Sequence, residues 1–272
     1  MSIVRATTAE LAKVFTVRLW WILAIVMVLY VGALAGILAG VFGGLDLSGA
    51  AGAPPIDLSG LHLIIYSTAS AIGYVFPVLL GALSATSESR HQTLTPTFLA
   101  NPRRAQVLAA KGVAMALIGA LFGVIALVGS VGVGAIVLSA VGKDAGFGDS
   151  DTWVLVGRVV LAMALWAVIG VALGTLVPNQ VAALVIVLAF TQFVEPILRS
   201  VSAIWEWTAR VGQFLPGSAS DALVGSSVFT SLGATTAEVV ELEWWQGGLV
   251  LFGIAAVVGV VGYFAVWKRD VT

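Results

Sequence analysis

The sequence lacks the side-chain patterns that support common catalytic and metal chemistry. It has no HExxH or GxSxG motif and no pair of aspartates within its apolar stretches, so an intramembrane enzyme is not indicated. It has no cysteine, and His62 and His91 are too far apart to suggest a metal site. A GxxxxGK[ST] phosphate-binding loop is also missing. We therefore expect no catalytic residue, no metal and no cofactor bound by this chain.

One group of polar side chains has the spacing of a helix face. Tyr66, Ser67, Ser70 and Tyr74 recur at helical intervals before Pro77 in an otherwise apolar stretch. Such a stripe could line a pathway for a solute. Hydroxyl groups in membrane helices also bond to their own backbone or to a neighbouring helix, so both interpretations stay open.

Ionisable residues are scarce in the apolar stretches, with Arg158 and Glu195 as the two candidates near a boundary. Arg158 lies close enough to the expected outer boundary to extend to water. Glu195 precedes Pro196, where we expect the fifth helix to end. Both are candidates for gating or solute contact, or for simple anchoring at the outer boundary. Their scarcity argues against a proton- or sodium-driven carrier.

The elements that position these residues are apolar helices. Of the 272 residues, 60% are hydrophobic and only 10% are charged, and mean hydropathy is +1.06, which excludes an ordinary soluble domain. The apolar runs have the length needed to cross a bilayer as helices and lack the short alternating segments of a β-barrel. We predict an all-α integral membrane protein with spans near 20–43, 62–84, 107–140, 153–176, 180–198 and 247–267.

The basic residues predict that both chain ends lie in the cytoplasm, because Lys and Arg favour the cytoplasmic side of short loops. With this orientation the basic residues on the inner side are Arg5, Lys13, Arg18, Arg90, Arg103, Arg104, Lys111, Lys268 and Arg269. Those on the outer side are Lys143, Arg158, Arg199 and Arg210.

Residues 7–18 are predicted to form an amino-terminal helix at the membrane interface. Thr7 and Glu10 match a capping box, and Leu11, Val14 and Phe15 share one face with Lys13 pointing away. A plain extension of the first span is the alternative.

The segment 85–106 is the one substantial cytoplasmic loop. Thr95-Pro96 and Asn101-Pro102 each place a capping residue before a proline, which predicts a short helix and then the start of the third span. A basic loop that only sets topology is the alternative interpretation.

These features together resemble the permease subunits of type-2 ABC exporters. The loop matches the family pattern of an acid, Thr-Leu, Pro-Arg and Lys through Glu88, Thr93, Leu94, Pro102, Arg104 and Lys111. Further similarities are Gly170 and Gly174 before Asn179-Gln180, the Glu195-Pro196 pair, and the LPGSASDAL stretch at 215–223. The similarity covers nearly the whole chain.

The resemblance implies one transmembrane permease domain over 1–272, with residues 95–101 as a coupling helix that docks on a separate ABC ATPase subunit. The residues that it assigns to coupling are Glu88, Thr95, Pro96, Phe98, Leu99, Pro102, Arg103 and Arg104. It makes 199–245 an outer re-entrant or interfacial helical segment. It also implies a second permease chain, identical or related, with ATP and Mg bound by the ATPase and no nucleic-acid partner.

The resemblance places the protein in the plasma membrane as an ATP-driven exporter, without fixing the solute. Two alternatives are a membrane anchoring or assembly factor without transport activity and a secondary transporter.

Overall fold

A computed structural model describes residues 2–44, 60–90, 97, 99, 102–202, 206–226, 228 and 242–268. Within these ranges the chain is helical and contains no β-strand. Six helices are long and apolar enough to cross a membrane. The predicted all-α fold with six membrane-spanning helices is therefore confirmed, and the chain is a multi-pass membrane protein that contacts the lipid bilayer.

The six spans follow one another along the chain, with two short helices between the fifth and the sixth. The amino-terminal helix is α1 (Ile3–Thr16), and the first span is α2 (Leu19–Gly44). The second span contains α3 (Leu61–Ala71) and α4 (Val75–Arg90), the third is α5 (Arg104–Ala140), and the fourth is α6 (Ser150–Leu176). The fifth contains α7 (Gln180–Ala189), a π-helical turn (Phe190–Val194) and α8 (Glu195–Ser202). After the short helices α9 (Glu206–Gly212) and α10 (Pro216–Val224), the sixth span is α11 (Trp244–Gly262) with a π-helical turn (Tyr263–Trp267).

The second span is broken, although the sequence predicts a continuous helix over 62–84. Residues 72–74 form turns between α3 and α4. Pro77 has no N–H to donate to the carbonyl oxygen of Gly73, so the regular hydrogen-bond ladder cannot pass through this point. At its other end the span continues to Arg90, so the first part of the predicted loop 85–106 is helical.

The fifth span does not end at Glu195-Pro196, so that expectation is wrong. A π-helical turn over Phe190–Val194 precedes this pair, and α8 then carries the span to Ser202. Pro196 has no N–H to donate, and it directly follows the π-helical turn, where the regular hydrogen-bond spacing changes, so the helix continues through the proline. Glu195 is therefore 2% exposed inside the bundle rather than at the end of the span.

The fourth span, α6, packs closely against α4 and α5 through glycines. At Gly170 an added Cβ would collide with the carbonyl oxygen of Val78, and at Gly119 it would collide with that of Met163. Gly32 and Gly36 of α2 face Val133 of α5 at 3.1 and 2.9 Å from the position of an added Cβ. These small residues let backbones approach, so the glycine-rich faces serve packing within one bundle.

The amino-terminal helix differs in detail from the prediction of a helix over 7–18 capped by Thr7. It begins at Ile3, and Ser2 caps it by accepting a hydrogen bond from the Arg5 N–H at 3.4 Å. Thr7 lies in the helix interior and donates to the Ile3 carbonyl oxygen. Lys13 does not point away from the bundle but pairs with acids there, whereas Phe15 is exposed.

The predicted outer segment 199–245 contains α9 and α10 in its described part. Helix α10 packs against α6 and α11, with Ala219 and Leu223 fully buried. A Cβ at Gly247 of α11 would collide with the Ala219 carbonyl oxygen, so these two helices touch at their backbones. Part of this segment thus belongs to the core. Residues 203–205, 227 and 229–241 lie outside the described residues.

Candidate functional site

Four charged side chains from three elements meet at the end of the bundle where α1 lies. We call Glu10, Lys13, Glu88 and Lys111 the Lys111 cluster. The Lys111 ammonium bonds Glu10 at 2.5 Å and Glu88 at 3.2 Å. The Lys13 ammonium bonds the same two carboxylates, Glu10 at 2.5 Å and Glu88 at 2.7 Å. Each cation therefore bridges both acids.

The Lys111 cluster is neutral and largely shielded from water. The Lys111 side chain is 1% exposed and also donates to the Ser84 carbonyl oxygen at 3.1 Å. A buried ammonium is tolerated only when it is paired and hydrogen-bonded, and both conditions hold for Lys111. Lys13 is about half exposed, so it forms the side of the cluster that faces water.

The pKa values of the two α1 residues reflect this pairing. Burial alone would raise the pKa of Glu10, but the charge and hydrogen bond of Lys111, helped by Lys13, lower it below its ordinary 4.5. Burial alone would lower the pKa of Lys13, but hydrogen bonds to Glu10 and Glu88 raise it above its ordinary 10.5. The charged forms of both groups are thus favoured at neutral pH.

The Lys111 cluster ties α1 to both ends of the segment between the second and third spans. Glu88 lies in the last turn of α4, and Lys111 lies two turns into α5. Sequence reasoning assigned Glu10 to a cap and Lys13 to the exposed face, so it missed this arrangement. The signal available was the Glu10–Lys13 spacing, which brings an acid and a base together on one helix face.

The predicted coupling residues fall into three groups. Glu88 lies in the Lys111 cluster, and an Arg104 guanidinium N–H donates to the Trp267 carbonyl oxygen at 2.8 Å. Pro102 and Arg103 are exposed, and Leu99 is helical and 80% exposed. Helix α5 begins at Arg104, two residues after the predicted Pro102. Thr95, Pro96 and Phe98 lie outside the described residues.

The four hydroxyl residues of the predicted stripe are all buried, and each has a partner. Ser67 and Ser70 bond carbonyl oxygens of their own helix, at 2.8 and 3.0 Å. Tyr66 donates across the bundle to the Ala145 carbonyl oxygen at 2.7 Å, and Tyr74 donates to that of Thr191 at 3.3 Å. The two tyrosines thus tie the second span to the connection after α5 and to the fifth span, whereas the serines bond within α3. Of these four residues, Tyr74 borders a cavity.

The cavity has a volume of about 200 Å³ and lies between the second and fifth spans, beside the break in one and the π-helical turn in the other. Its apolar wall contains Ala71, Ile72 and Pro196. Its polar and aromatic lining residues are Tyr30, Tyr74, Thr191, Gln192, Glu195 and Arg199. The Tyr74 ring stacks on Trp166 with a centroid distance of 4.3 Å, which fixes one side of the cavity.

A second group of charges adjoins the cavity, and we call Glu195, Arg199 and Asp221 the Arg199 cluster. The Arg199 guanidinium bonds Asp221 at 2.8 Å and one Glu195 oxygen at 3.4 Å. The same Glu195 oxygen accepts the Gly217 backbone N–H at the start of α10. This cluster joins the fifth span to α10. More charge is therefore buried beside the fifth span than the sequence predicts, because α10 supplies Asp221.

Arg158 belongs to neither the Lys111 cluster nor the Arg199 cluster in the described part of the chain. Its guanidinium sits 5.1 Å from the centre of the Trp244 ring, a cation–π contact that joins α6 to α11. It is partly exposed. This contact fits anchoring, and its role in gating stays a prediction.

Comparison with known proteins adds no family assignment: no family matches the chain, and no curated protein matches its sequence. Within the described ranges, no three His, Asp or Glu side chains are grouped in a way that could hold a metal ion. The described structure thus contains two charged clusters. The Lys111 cluster connects α1 to the ends of α4 and α5, and the Arg199 cluster lies beside the cavity.

Proposed function

We propose that this chain is the membrane-spanning subunit of an ATP-driven type-2 ABC exporter, coupled through its first cytoplasmic loop to a separate ATPase. The observation that carries the proposal is the Lys111 cluster. It ties α1 to the last turn of α4 and to the start of α5, the two helices that bear the loop. A loop held in this way is suited to pass a displacement into the membrane bundle.

The physical argument concerns stiffness. Removing one partner from a buried ion pair costs about 3–5 kcal/mol, so the ends of α4 and α5 cannot separate cheaply from α1. The guanidinium of Arg104 adds a bond to the Trp267 carbonyl oxygen, which extends the connection to the sixth span. Movement of the loop would therefore shift four elements together rather than bend one free segment.

The orientation in this proposal places the loop and both chain ends in the cytoplasm, with the protein in the plasma membrane. It is supported by the excess of Lys and Arg on that side. ATP and Mg would bind to the ATPase, since this sequence has no P-loop.

A second permease chain completes the proposed exporter. The fifth and sixth spans bury a smaller share of their apolar windows than the other spans, 22% and 17%. Their exposed side chains include Val185, Phe193, Ile197, Leu249, Phe252 and Val260. Such faces meet either lipid or another membrane helix, and the cavity between the second and fifth spans lies near this exposed side.

The test is to purify the tagged chain from its own cells and identify ATPase subunits that remain bound. The proposal predicts an ATPase with a P-loop whose hydrolysis rate rises severalfold when this chain is reconstituted with it. A bound ATPase with an unchanged rate would favour an assembly factor. Solute transport by the purified chain alone, without ATP, would favour a secondary transporter, and either result would contradict the proposal.

A further inference from the structure

The cavity between the second and fifth spans adjoins the Arg199 cluster, which contains two acids and one base. Glu195 and Asp221 supply two negative charges to the Arg199 cluster, and Arg199 supplies one positive charge. With both acids ionised, these three side chains together carry one net negative charge. Burying a net charge is costly unless a partner of opposite sign completes the site.

The position of the missing charge is marked by one oxygen of Glu195. Its Oε1 accepts from Gly217 and Arg199, whereas its Oε2 is buried and has no hydrogen-bond partner among the described residues. The Glu195 side chain is 2% exposed and lines the cavity. A buried carboxylate oxygen without a hydrogen-bond partner, in a residue that lines the cavity, has capacity for a further polar or cationic partner.

The remaining walls of the cavity select the kind of cation. The aromatic rings of Tyr30 and Tyr74 line it, and Ala71, Ile72 and Pro196 supply apolar surface. Aromatic faces and apolar walls suit a quaternary ammonium group, whose charge is spread over carbon-bound hydrogens and which is weakly hydrated. A small inorganic cation prefers several oxygen ligands instead.

We infer that this cavity binds the ammonium group of a small organic cation, with Glu195 as its counter-ion and Tyr30 and Tyr74 as its aromatic walls. The volume of about 200 Å³ accepts a group of tetramethylammonium size with room for a substituent. Binding at this site does not depend on the proposed export function. A further step, that organic cations are the class of solute exported, rests on the proposed export function.

The test uses the purified full chain in a maltoside detergent, without ATPase and without choline lipids, whose headgroups would compete. Tetramethylammonium is the probe, and tert-butanol is its neutral counterpart of similar shape. Saturation-transfer NMR gives the dissociation constant. We expect tetramethylammonium to bind at least about tenfold more tightly than tert-butanol, because only the cation pairs with Glu195.

Two cavity variants and one control variant test whether the cation binds in the cavity. Glu195→Gln keeps the side-chain volume and should weaken tetramethylammonium binding by about tenfold. Glu243→Gln is the matched control, since it removes one negative charge at the exposed start of α11, and it should leave the dissociation constant unchanged. Tyr30→Leu changes a residue that is 47% exposed and should weaken binding by about threefold.

Equal binding of the cation and the neutral compound would overturn the inference. So would unchanged binding in a folded Glu195→Gln protein, which would mean that Glu195 is protonated and neutral, or equal loss in Glu243→Gln. If Glu195→Gln fails to fold, unchanged binding in Tyr30→Leu overturns the inference instead. None of these outcomes depends on whether an ATPase associates with the chain, so failure here and failure of the proposed exporter are distinguishable.

Discussion

Replacing Lys111 with methionine should destabilise the bundle more than the loss of any exposed charge. The variant Lys111→Met keeps most of the side-chain volume but removes the cation that bonds Glu10 and Glu88. Lys13 alone would then face two buried carboxylates. Leaving a buried charge without its partner costs about 3–5 kcal/mol, and we expect a loss in that range at neutral pH.

The assay is the free energy of unfolding in detergent micelles, measured by denaturant titration with tryptophan fluorescence. Lys143→Met is the matched control, because Lys143 is exposed at the end of α5 and its loss should change stability by no more than about 0.5 kcal/mol. In the double variant Glu10→Gln/Lys111→Met, the loss of unfolding free energy should be about 1–3 kcal/mol smaller than the sum of the losses in the two single variants. The reason is that the two residues interact directly.

The pH dependence gives the same prediction an independent check. Because the pKa of Glu10 is lowered in the folded protein, its stabilising contribution is present above pH 4.5 and is lost as the pH falls through the lower value. In Lys111→Met the larger lowering influence is absent and only Lys13 opposes the effect of burial, so the pKa of Glu10 should be higher than in wild type. The stability difference between the two proteins should therefore shrink as the pH falls below about 4.5. A variant as stable as wild type at pH 7, or a difference that grows in acid, would refute the reasoning.

Two further predictions concern packing and topology. Gly170→Ala should destabilise the bundle by about 1–3 kcal/mol, because its Cβ meets the Val78 carbonyl oxygen. Gly157→Ala in the same helix meets no atom within 4 Å and should be neutral or stabilising by up to about 1 kcal/mol; equal losses in thermal unfolding would contradict the packing. For topology, cysteine at Asp149 should react with an impermeant thiol reagent outside intact cells and cysteine at Arg90 should not. The opposite labelling would reverse the orientation.

The spans could be predicted from the sequence because bilayer thickness fixes the length of an apolar helix. The breaks within them were harder to place. Pro77 signals a local defect without saying whether a helix bends or stops. Pro196 predicts a helix end, because the sequence gives no sign of the π-helical turn that precedes it. The glycines were more informative about helix packing, because two helix backbones can approach closely only where the residues between them are small.

The charged clusters could not be found from the sequence alone because their members come from distant parts of the chain. Lys111 meets Glu10 from 101 residues away, and Arg199 of α8 meets Asp221 of α10 from 22 residues away, with α9 between them in the chain. Hydropathy placed Lys111 near a boundary but gave no reason to bury it. The helical spacing of the hydroxyl stripe could be recognised in the sequence, but the partners of its side chains, such as the Ala145 carbonyl oxygen for Tyr66, required the fold.

The central claim is that the first cytoplasmic loop couples this chain to an ATPase. A substitution at Leu99 tests this claim. Leu99 is helical and 80% exposed, so aspartate there should leave the bundle folded. Burying an apolar side chain of this size at an interface contributes about 1.5–3 kcal/mol, which corresponds to a loss of affinity of about ten- to a hundredfold. Phe98→Asp/Leu99→Asp should weaken binding further.

The decisive measurement is the dissociation constant between the reconstituted chain and its ATPase, together with the ATPase rate, for wild type, Leu99→Asp, the double variant and Phe147→Asp. Phe147 is an exposed apolar residue beyond the end of α5 and serves as the matched control. The account predicts weakened binding and lost stimulation for both loop variants, with Phe147→Asp unchanged. A folded double variant that binds and stimulates the ATPase as wild type does would contradict it.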